Sequence, residues 1–397
     1  MRRRFKRLDN MVELDQDLRK IYQDLHQIPE LALHEFETHD YLMKQIKQFT
    51  ADTDFTEIKV PEELSTAILV LFHGSSPKRT IGYRTDIDAL PTNEETGLSF
   101  ASQHPGKMHA CGHDIHMTVA LGTLRYFAKH QPQDNLLFFF QPAEESENGG
   151  KLAYEDGVFT DQWRPDEFYG LHDNPQLDAG TIGCRMGTLF AGTTEVDVDF
   201  TGVQGHAAYP QFANDMIVAA SQFINQVQTI VSRSVDPIEG GVITFGQFEA
   251  GTIRNVISGS AHLKGTIRGL TQTMIEHIDE RLQEVTNGIA TSYGCKVDLK
   301  LNQGGYLPVE NNPKLTADFI NYMEENPEVT YQETEPAMTG EDFGYLLSKI
   351  PGTMFWLGIG DPDHQLHSSQ LVPDTKAIQP GISAITGFLT HRMNEKE

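Results

Sequence analysis

Apolar positions along the chain follow two alternating rhythms. Leu14, Leu18, Ile21, Tyr22, Leu25 and Ile28 recur three and four apart, which predicts an opening amphipathic helix, and a second is expected over 37–48. Apolar runs of strand length then appear at 67–72, 80–84, 135–140 and 167–171. A helical pattern at 115–129, with Val119, Leu121, Leu124 and Phe127 along it, lies among them. Strands alternating with helices predict an α/β domain whose mostly parallel sheet is flanked by helices. From Cys184 the rhythm changes. Residues 195–201 alternate with period two, 215–233 read as a helix, 242–248 and 261–268 as strands, 271–293 as a helix and 296–301 as a strand. That order, β-α-β-β-α-β, predicts a ferredoxin-like unit. Gly183 and Gly187 stand before it and Gly304 and Gly305 after it, as a two-stranded hinge would require. The first rhythm then resumes, with helices over 314–325 and 342–350, a strand at 354–358 and a helix over 377–392. The expected organisation is one α/β domain in two parts, 1–184 and 305–397, interrupted by a small α+β domain at 185–304.

In open α/β sheets, sites form beyond the carboxyl ends of the strands. Asp86 and Asp88 follow the strand at 80–84, and His109-Ala-Cys-Gly-His113-Asp precedes the helix at 115–129. Glu144 and Glu145 follow 135–140, His172 follows 167–171, and Asp363-His364-Gln-Leu-His367 follows the last strand. Taken singly, each has an ordinary explanation: a helix-start carboxylate pair, turn chemistry for Asp-x-Asp, a hydrogen-bonded structural histidine. Their convergence on one sheet edge favours a metal site.

Imidazole, thiolate and carboxylate together suit Zn, Co, Ni or Mn, whereas Ca and Mg prefer oxygen alone. Cys111, His113, Glu145, His172 and His367 are the expected ligands. Five exceed the three of a one-zinc catalytic centre, so two divalent ions sharing ligands are expected. Such a pair acidifies a bridging water, which still needs a base not tied to metal. Glu144 fits, since adjacent side chains diverge and Glu145 can reach metal while Glu144 faces the water. Asp86 and Asp88 share a face if the strand continues, and either could orient a ligand histidine. A Cys111–His113 nucleophile is the competing reading, but two residues apart on a tight loop is poor geometry for it, and the carboxylates would have no role. In the inserted domain, His206 lies in the loop after the first strand, Asn255 precedes the strand at 261–268, and Arg268 ends it. Arg268 could grip a carboxylate bidentately or be an ordinary surface arginine.

Composition narrows the partners. The 397 residues carry 31 Lys plus Arg against 56 Asp plus Glu, a net charge of −25. Such a surface repels phosphate backbones and anionic lipid, which argues against nucleic acid and membrane partners. The longest apolar run, 136–140, is far short of the ~20 residues of a membrane span. The basic segment at residues 1–7 has no apolar signal core behind it and is expected to be a solvated extension, with Met11 an alternative start. Three scattered cysteines form no disulfide framework and fit a reducing, cytoplasmic setting.

The strings Met108-His-Ala-Cys-Gly-His-Asp-Ile-His116, Tyr83-Arg-Thr-Asp-Ile-Asp-Ala-Leu90, Gln-Pro-Ala-Glu144-Glu145 and Gly205-His206-Ala resemble the M20 metallopeptidase superfamily, in its amidohydrolase branch. The likeness runs from Leu25-His-Gln-Ile-Pro-Glu-Leu31 to Leu366-His367. It implies a hydrolase of N-acyl amino acid amide bonds that binds two divalent ions, with a lid that closes over the substrate and forms a homodimer. It also implies Glu144 as proton acceptor and Cys111, His113, Glu145, His172 and His367 as ligands. One of Asp86 and Asp88 would be catalytic, with the choice open. His206 would reach a neighbouring subunit's site and steady the tetrahedral intermediate, while Asn255 and Arg268 hold the substrate carboxylate. Ala337-Met-Thr-Gly-Glu-Asp-Phe-Gly-Tyr345 and Met354-Phe-Trp-Leu-Gly358 resemble the branch's deacetylases, which release acetate from an acetylated diamino acid on a route to lysine and cell-wall precursor. Hippurate, indole-acyl or general N-acyl amino acids are the alternative substrates, and a binding protein without catalysis is the alternative class. Thr85, where relatives usually have Ala, and the segment Glu145-Ser-Glu-Asn-Gly depart from the pattern without removing a ligand.

Overall fold

The structure, a computed structural model, describes residues 11–236 and 238–394. The basic segment at 1–7, and with it the choice between Met1 and Met11, lies outside them, as does the side chain of Leu14. Along the chain come α1 (Met11–His26), α2 (Phe36–Phe49), β1 (Thr56–Lys59), β2 (Ile68–Phe72), β3 (Thr80–Asp86), α3 (His113–Lys129), β4 (Asn135–Gln141), α4 (Gly149–Glu155), β5 (Glu167–Asn174) and β6 (Thr181–Cys184). Then follow β7 (Gly192–Thr201), β8 (Gly205–His206), α5 (Met216–Ser234), β9 (Gly241–Ala250), β10 (Val256–Ile257), β11 (Ser260–Gly269), α6 (Gln272–Tyr293) and β12 (Lys296–Asn302). The last elements are α7 (Pro313–Glu325), β13 (Thr330–Glu333), α8 (Phe343–Leu347), β14 (Gly352–Gly358) and α9 (Ile378–Asn394).

The chain forms two compact units. One consists of Phe190–Glu310 with Pro336–Tyr345, and the other of the remaining described chain. The segment 336–345 joins the inserted unit, although its position in sequence suggested the second part of the α/β domain. Backbone pairing accounts for this: Phe190 and Ala337 form a parallel bridge, and the Ala191 amide donates to the Ala337 carbonyl at 2.9 Å.

Among the described residues the larger unit holds an eight-stranded sheet in the order β1-β2-β4-β3-β5-β14-β6-β13. Its centre, β4-β3-β5-β14, is parallel throughout, while β1–β2, β2–β4 and β14–β6 pair antiparallel. The sheet is therefore parallel-rich and mixed. The central strands are buried from end to end because helices cover both faces, which is why they read as unbroken apolar runs. Helix α3 is buried along most of its length, and α1, α2 and α9 pack on it. Edge strands β1 (Thr-Glu-Ile-Lys) and β13 (Thr-Tyr-Gln-Glu) carry almost no apolar signal and were not expected from the sequence. The helix expected over 342–350 is shorter, 343–347.

The inserted unit is a four-stranded antiparallel sheet in the order β12-β7-β11-β9, the ferredoxin-like arrangement. Alternation along β7 turns Val196, Val198 and Phe200 inward, into a core shared with Phe223 and Val227 of α5 and Leu282 and Ile289 of α6. Asp215 caps α5 by accepting from the amides of Ile217 and Val218, and Thr271 caps α6 through Met274. No helix among the described residues is long and apolar enough to cross a membrane.

Candidate metal centre

Because β4, β3, β5 and β14 run parallel, their carboxyl ends lie along one edge of the sheet, and the polar residues that follow them gather there. His113 opens α3 behind Gly112, whose φ is +83°. A side chain at Gly112 would be strained by that conformation, and its Cβ would lie 2.2 Å from Asp173 Oδ2. Glycine at this position lets the helix start approach the end of β5. The turn after β4 is held by Ala143 at φ 61°. The buried Glu35 braces that turn, its Oε1 accepting from the amides of Ala143 (2.9 Å) and Leu33 (3.0 Å). His367, at φ 70°, comes from the loop after β14.

Cys111 Sγ stands 3.5 Å from His172 Nε2. His113 Nε2 is 3.8 Å from Glu145 Oε1, and His367 Nε2 is 3.6 Å from Glu145 Oε2. Donor atoms of Cys111, His113 and His172 lie within 4.8 Å of one another, as do those of Cys111, Glu145 and His367 and those of His113, Glu144 and Glu145. The first two trios share Cys111. Glu144 and Glu145 both approach His113, where diverging side chains were expected, because they sit in the Ala143 turn and not in a regular helix.

The donor chemistry fits divalent cations. His113 Nδ1 donates to the Asp88 carbonyl at 2.9 Å, and His172 Nδ1 to the Asp173 carbonyl at 3.0 Å. Each ring therefore turns Nε2 toward the cluster. Among the described residues, His113 Nε2 and Glu145 Oε1 are buried with no hydrogen-bond partner, a costly arrangement that a cation resolves. Burial pushes the Cys111 thiol well up, with Glu145 and Glu144 adding to the effect. Burial likewise pushes Glu145 up to about 7 against the pull of His113. So many acidic groups ionise together only with positive charge among them. His172 is held well below the usual histidine range by burial and by His116, in the neutral form a ligand needs.

The two aspartates part ways because β3 ends at Asp86 and its pleat does not continue to Asp88. Asp86 Oδ2 accepts from Arg84 Nη1 at 2.7 Å, and Oδ1 accepts from His116 Nδ1 at 2.5 Å. Burial opposes its charge, but His113, His116 and Arg84 outweigh it and hold the carboxyl well below the usual range. Asp88 Oδ2 accepts the Glu145 amide at 2.9 Å, while Oδ1 lies 3.4 Å from His113 Nδ1. Asp88 thus braces two candidate ligands. The sequence reading missed His116, Asp173 and Glu35. His116 follows His113 by three residues, on the same helix face, and that spacing was the available signal.

A second buried cluster ties α1 to the start of α3. His26 Nδ1 pairs with Asp114 Oδ2 at 2.6 Å and Nε2 with Glu94 Oε1 at 3.2 Å. Burial lowers the pKa of this imidazole, but the two carboxylates outweigh burial and raise it to about 9. A raised histidine pKa contributes stability that is complete below the unfolded value near 6.5 and is lost as pH rises through about 9. Thermal melts are expected to show Tm falling across that window in the native protein. His26→Gln should lower Tm at pH 6 and flatten the fall. Parallel profiles for the two proteins would refute the pairing.

In the inserted unit, His206 and Asn255 are neighbours: β8 pairs with β10, and the Ala207 amide donates to the Asn255 carbonyl at 3.1 Å. The Ala208 amide donates to His206 Nδ1 at 3.1 Å, which leaves the ring proton on Nε2. Arg268 stands at the far end of β11 from this pair. Eight residue-to-residue steps of strand from Ser260 to Arg268 span ~26 Å, so Asn255 and Arg268 of one chain cannot hold one carboxylate. The structure gathers the five expected ligands with Glu144, Asp86 and Asp88, and sets His206 and Asn255 of the inserted unit apart from Arg268 by the length of β11.

Comparison with known proteins gives a consistent picture. Residues 82–391 match the family model described as peptidase family M20/M25/M40. The chain is 67% identical over 379 residues to an N-acetyldiaminopimelate deacetylase from Lactobacillus helveticus (strain DPC 4571), covering 96% of this chain and 98% of the relative. It is 62% identical over 380 residues to a protein of the same name from Lacticaseibacillus casei (strain BL23), covering 96% and 99%. Among solved structures, a Bacillus subtilis protein described as a dinuclear metal-binding peptidase of family M20 superposes with a TM-score of 0.84 at 27% identity. That match covers 96% of this chain and 99% of the other.

Proposed function

Because the chain belongs to peptidase family M20/M25/M40, we propose that it hydrolyses N-acetyl-L,L-diaminopimelate to L,L-diaminopimelate and acetate. The observation that carries this reading is the agreement of relatives at 62–67% identity, matched over 96% of the chain, on that single activity. The reaction supplies lysine and cell-wall synthesis and belongs in the cytoplasm.

Cys111, His113, Glu145, His172 and His367 would hold two divalent ions drawn from Zn, Co, Ni and Mn. When bound, such ions supply Lewis acidity toward the scissile carbonyl and make a nearby water more acidic. Glu144 takes the proton from the attacking water and passes it to the leaving amine as the C–N bond breaks. Asp88 keeps His113 and Glu145 in place through the contacts described above, and Glu35 fixes the turn that presents Glu144. Asp86, enclosed by Arg84 and His116, supports the site from behind. Arg268 grips the α-carboxylate of the acylated amino acid, and His206, with its proton on Nε2, donates to the developing oxyanion.

Since His206 and Asn255 stand ~26 Å of strand from Arg268, all three serve one substrate only if two copies of the chain contribute. This supports a homodimer formed through the inserted unit, and sedimentation of the native protein at twice 44.5 kDa is its check.

Substrate preference tests the reading. Metal-reconstituted protein is expected to release acetate from N-acetyl-L,L-diaminopimelate with a kcat/KM on the order of 10²-fold above that for hippurate or N-acetylmethionine. Equal or reversed preference would move the chain to a different amide substrate within the same chemistry.

A further inference from the structure

Arg268 lies one residue from the end of β11, where its partner in register is Thr193 of β7. Its Nη1 donates to the Thr193 hydroxyl. The Thr193 amide donates in turn to the Tyr306 carbonyl at 2.9 Å, which ties this end of β7 to the Tyr306 segment. Gly340 passes over the same group. A Cβ built there would lie 2.6 Å from Thr193 Oγ1, 3.3 Å from Arg268 Nη1 and 3.4 Å from the Tyr306 ring. Gly340 has no positive φ, so its backbone conformation would accept any residue, and the close approach is what requires glycine. Arg268 is partly buried and makes no ion pair among the described residues, in a chain with 56 acidic side chains. A guanidinium has five donors, and the one bond described for it here goes to a neutral hydroxyl.

We propose that Thr193 and Gly340 are positioning residues that lock the Arg268 guanidinium in place for the α-carboxylate of the substrate, the hydroxyl holding Nη1 from one side and the bare backbone of Gly340 closing over it. The inference rests on the reading of Arg268 as the carboxylate grip. Arginine carries several rotatable bonds, and fixing them before the ligand arrives removes that ordering cost from binding. The forked geometry of a guanidinium meets a carboxylate with two parallel bonds only when its plane is held. A methyl group at 340 would push on the Thr193 hydroxyl and Nη1 together, turning the fork away.

The test is steady-state kinetics on the acetylated amino acid with Gly340→Ala, Thr193→Val, Thr193→Ser, Arg268→Ala and the double variant Gly340→Ala/Arg268→Ala, each checked for native melting. Gly340→Ala is expected to raise KM about tenfold with kcat changed by less than about twofold. Thr193→Val should raise KM about threefold, and Thr193→Ser, which keeps the hydroxyl, should restore it. Arg268→Ala should raise KM on the order of 100-fold, and adding Gly340→Ala to it should change nothing further. If Gly340→Ala raises KM by the same factor with and without Arg268, or leaves KM unchanged, the positioning role is overturned. If Arg268→Ala itself leaves KM unchanged, the carboxylate reading fails instead.

Discussion

Glu144→Gln is expected to lower kcat by roughly 10²–10⁴-fold, the range that a positioned acid–base group contributes, while the protein keeps its metal and its melting temperature. The substitution preserves shape and removes only the capacity to accept a proton. Glu144 is buried at the sheet edge, with an oxygen within 4.8 Å of donor atoms of His113 and Glu145. That places it beside the ligand cluster in a position to exchange protons with a reacting water. The two measurements that matter are turnover and metal content on the same preparation. If metal falls in step with activity, Glu144 is a ligand and the proton acceptor must be sought elsewhere.

Chelation is expected to have the other large effect. Exhaustive removal of divalent ions should reduce turnover below about 10⁻³ of its starting value, and Tm should drop by several degrees. Both should return on adding back one of Zn, Co, Ni or Mn. The activity loss follows from the absence of any other Lewis acid to polarise the amide. The stability loss follows from linkage: a ligand present at a thousand times its Kd stabilises the native state by about 4 kcal/mol. Without the ions, His113 Nε2 and Glu145 Oε1 are left buried and unpaired among the described residues. Full turnover in thoroughly chelated protein would end the metal reading, and calorimetry with and without chelator would show whether stability moves with it.

The α/β class and the ferredoxin-like insert were legible because both depend on periodicity over long elements: unbroken apolar runs for buried strands, and strict alternation in β7. What escaped were features that leave no such trace. β1 and β13 are short, polar edge strands whose pairing is decided by their neighbours. The antiparallel entry of β2, and of β6 with β13 beside it, into a sheet with a parallel centre is a matter of connection geometry, and four or five residues read the same in either direction. The strand-end rule located the polar residues of the centre. It could not foresee that Glu144 and Glu145 would approach the same histidine, since that depends on Ala143 adopting a left-handed turn braced by Glu35, more than a hundred positions away. Nor could it separate Asp86 from Asp88. Their difference lies in where β3 stops, and element ends are the part of a pattern that sequence specifies least.

One consequence of the sheet order concerns how this molecule is made. Strand β14 is inserted between β5 and β6, yet it is synthesised long after both. Until it leaves the ribosome, the nascent sheet has a gap of about 10 Å between β5 and β6, two interstrand spacings wide. During that interval β5 and β6 expose unpaired edges to the cell, and the last histidine of the centre does not yet exist. The inserted unit, nearly contiguous in sequence, has all of its strands and both of its long helices available earlier. Assembly is therefore expected to run inside out along the gene, with the middle segment compact first and the surrounding sheet sealed last. Chaperones would encounter this chain chiefly as an open, unsealed sheet.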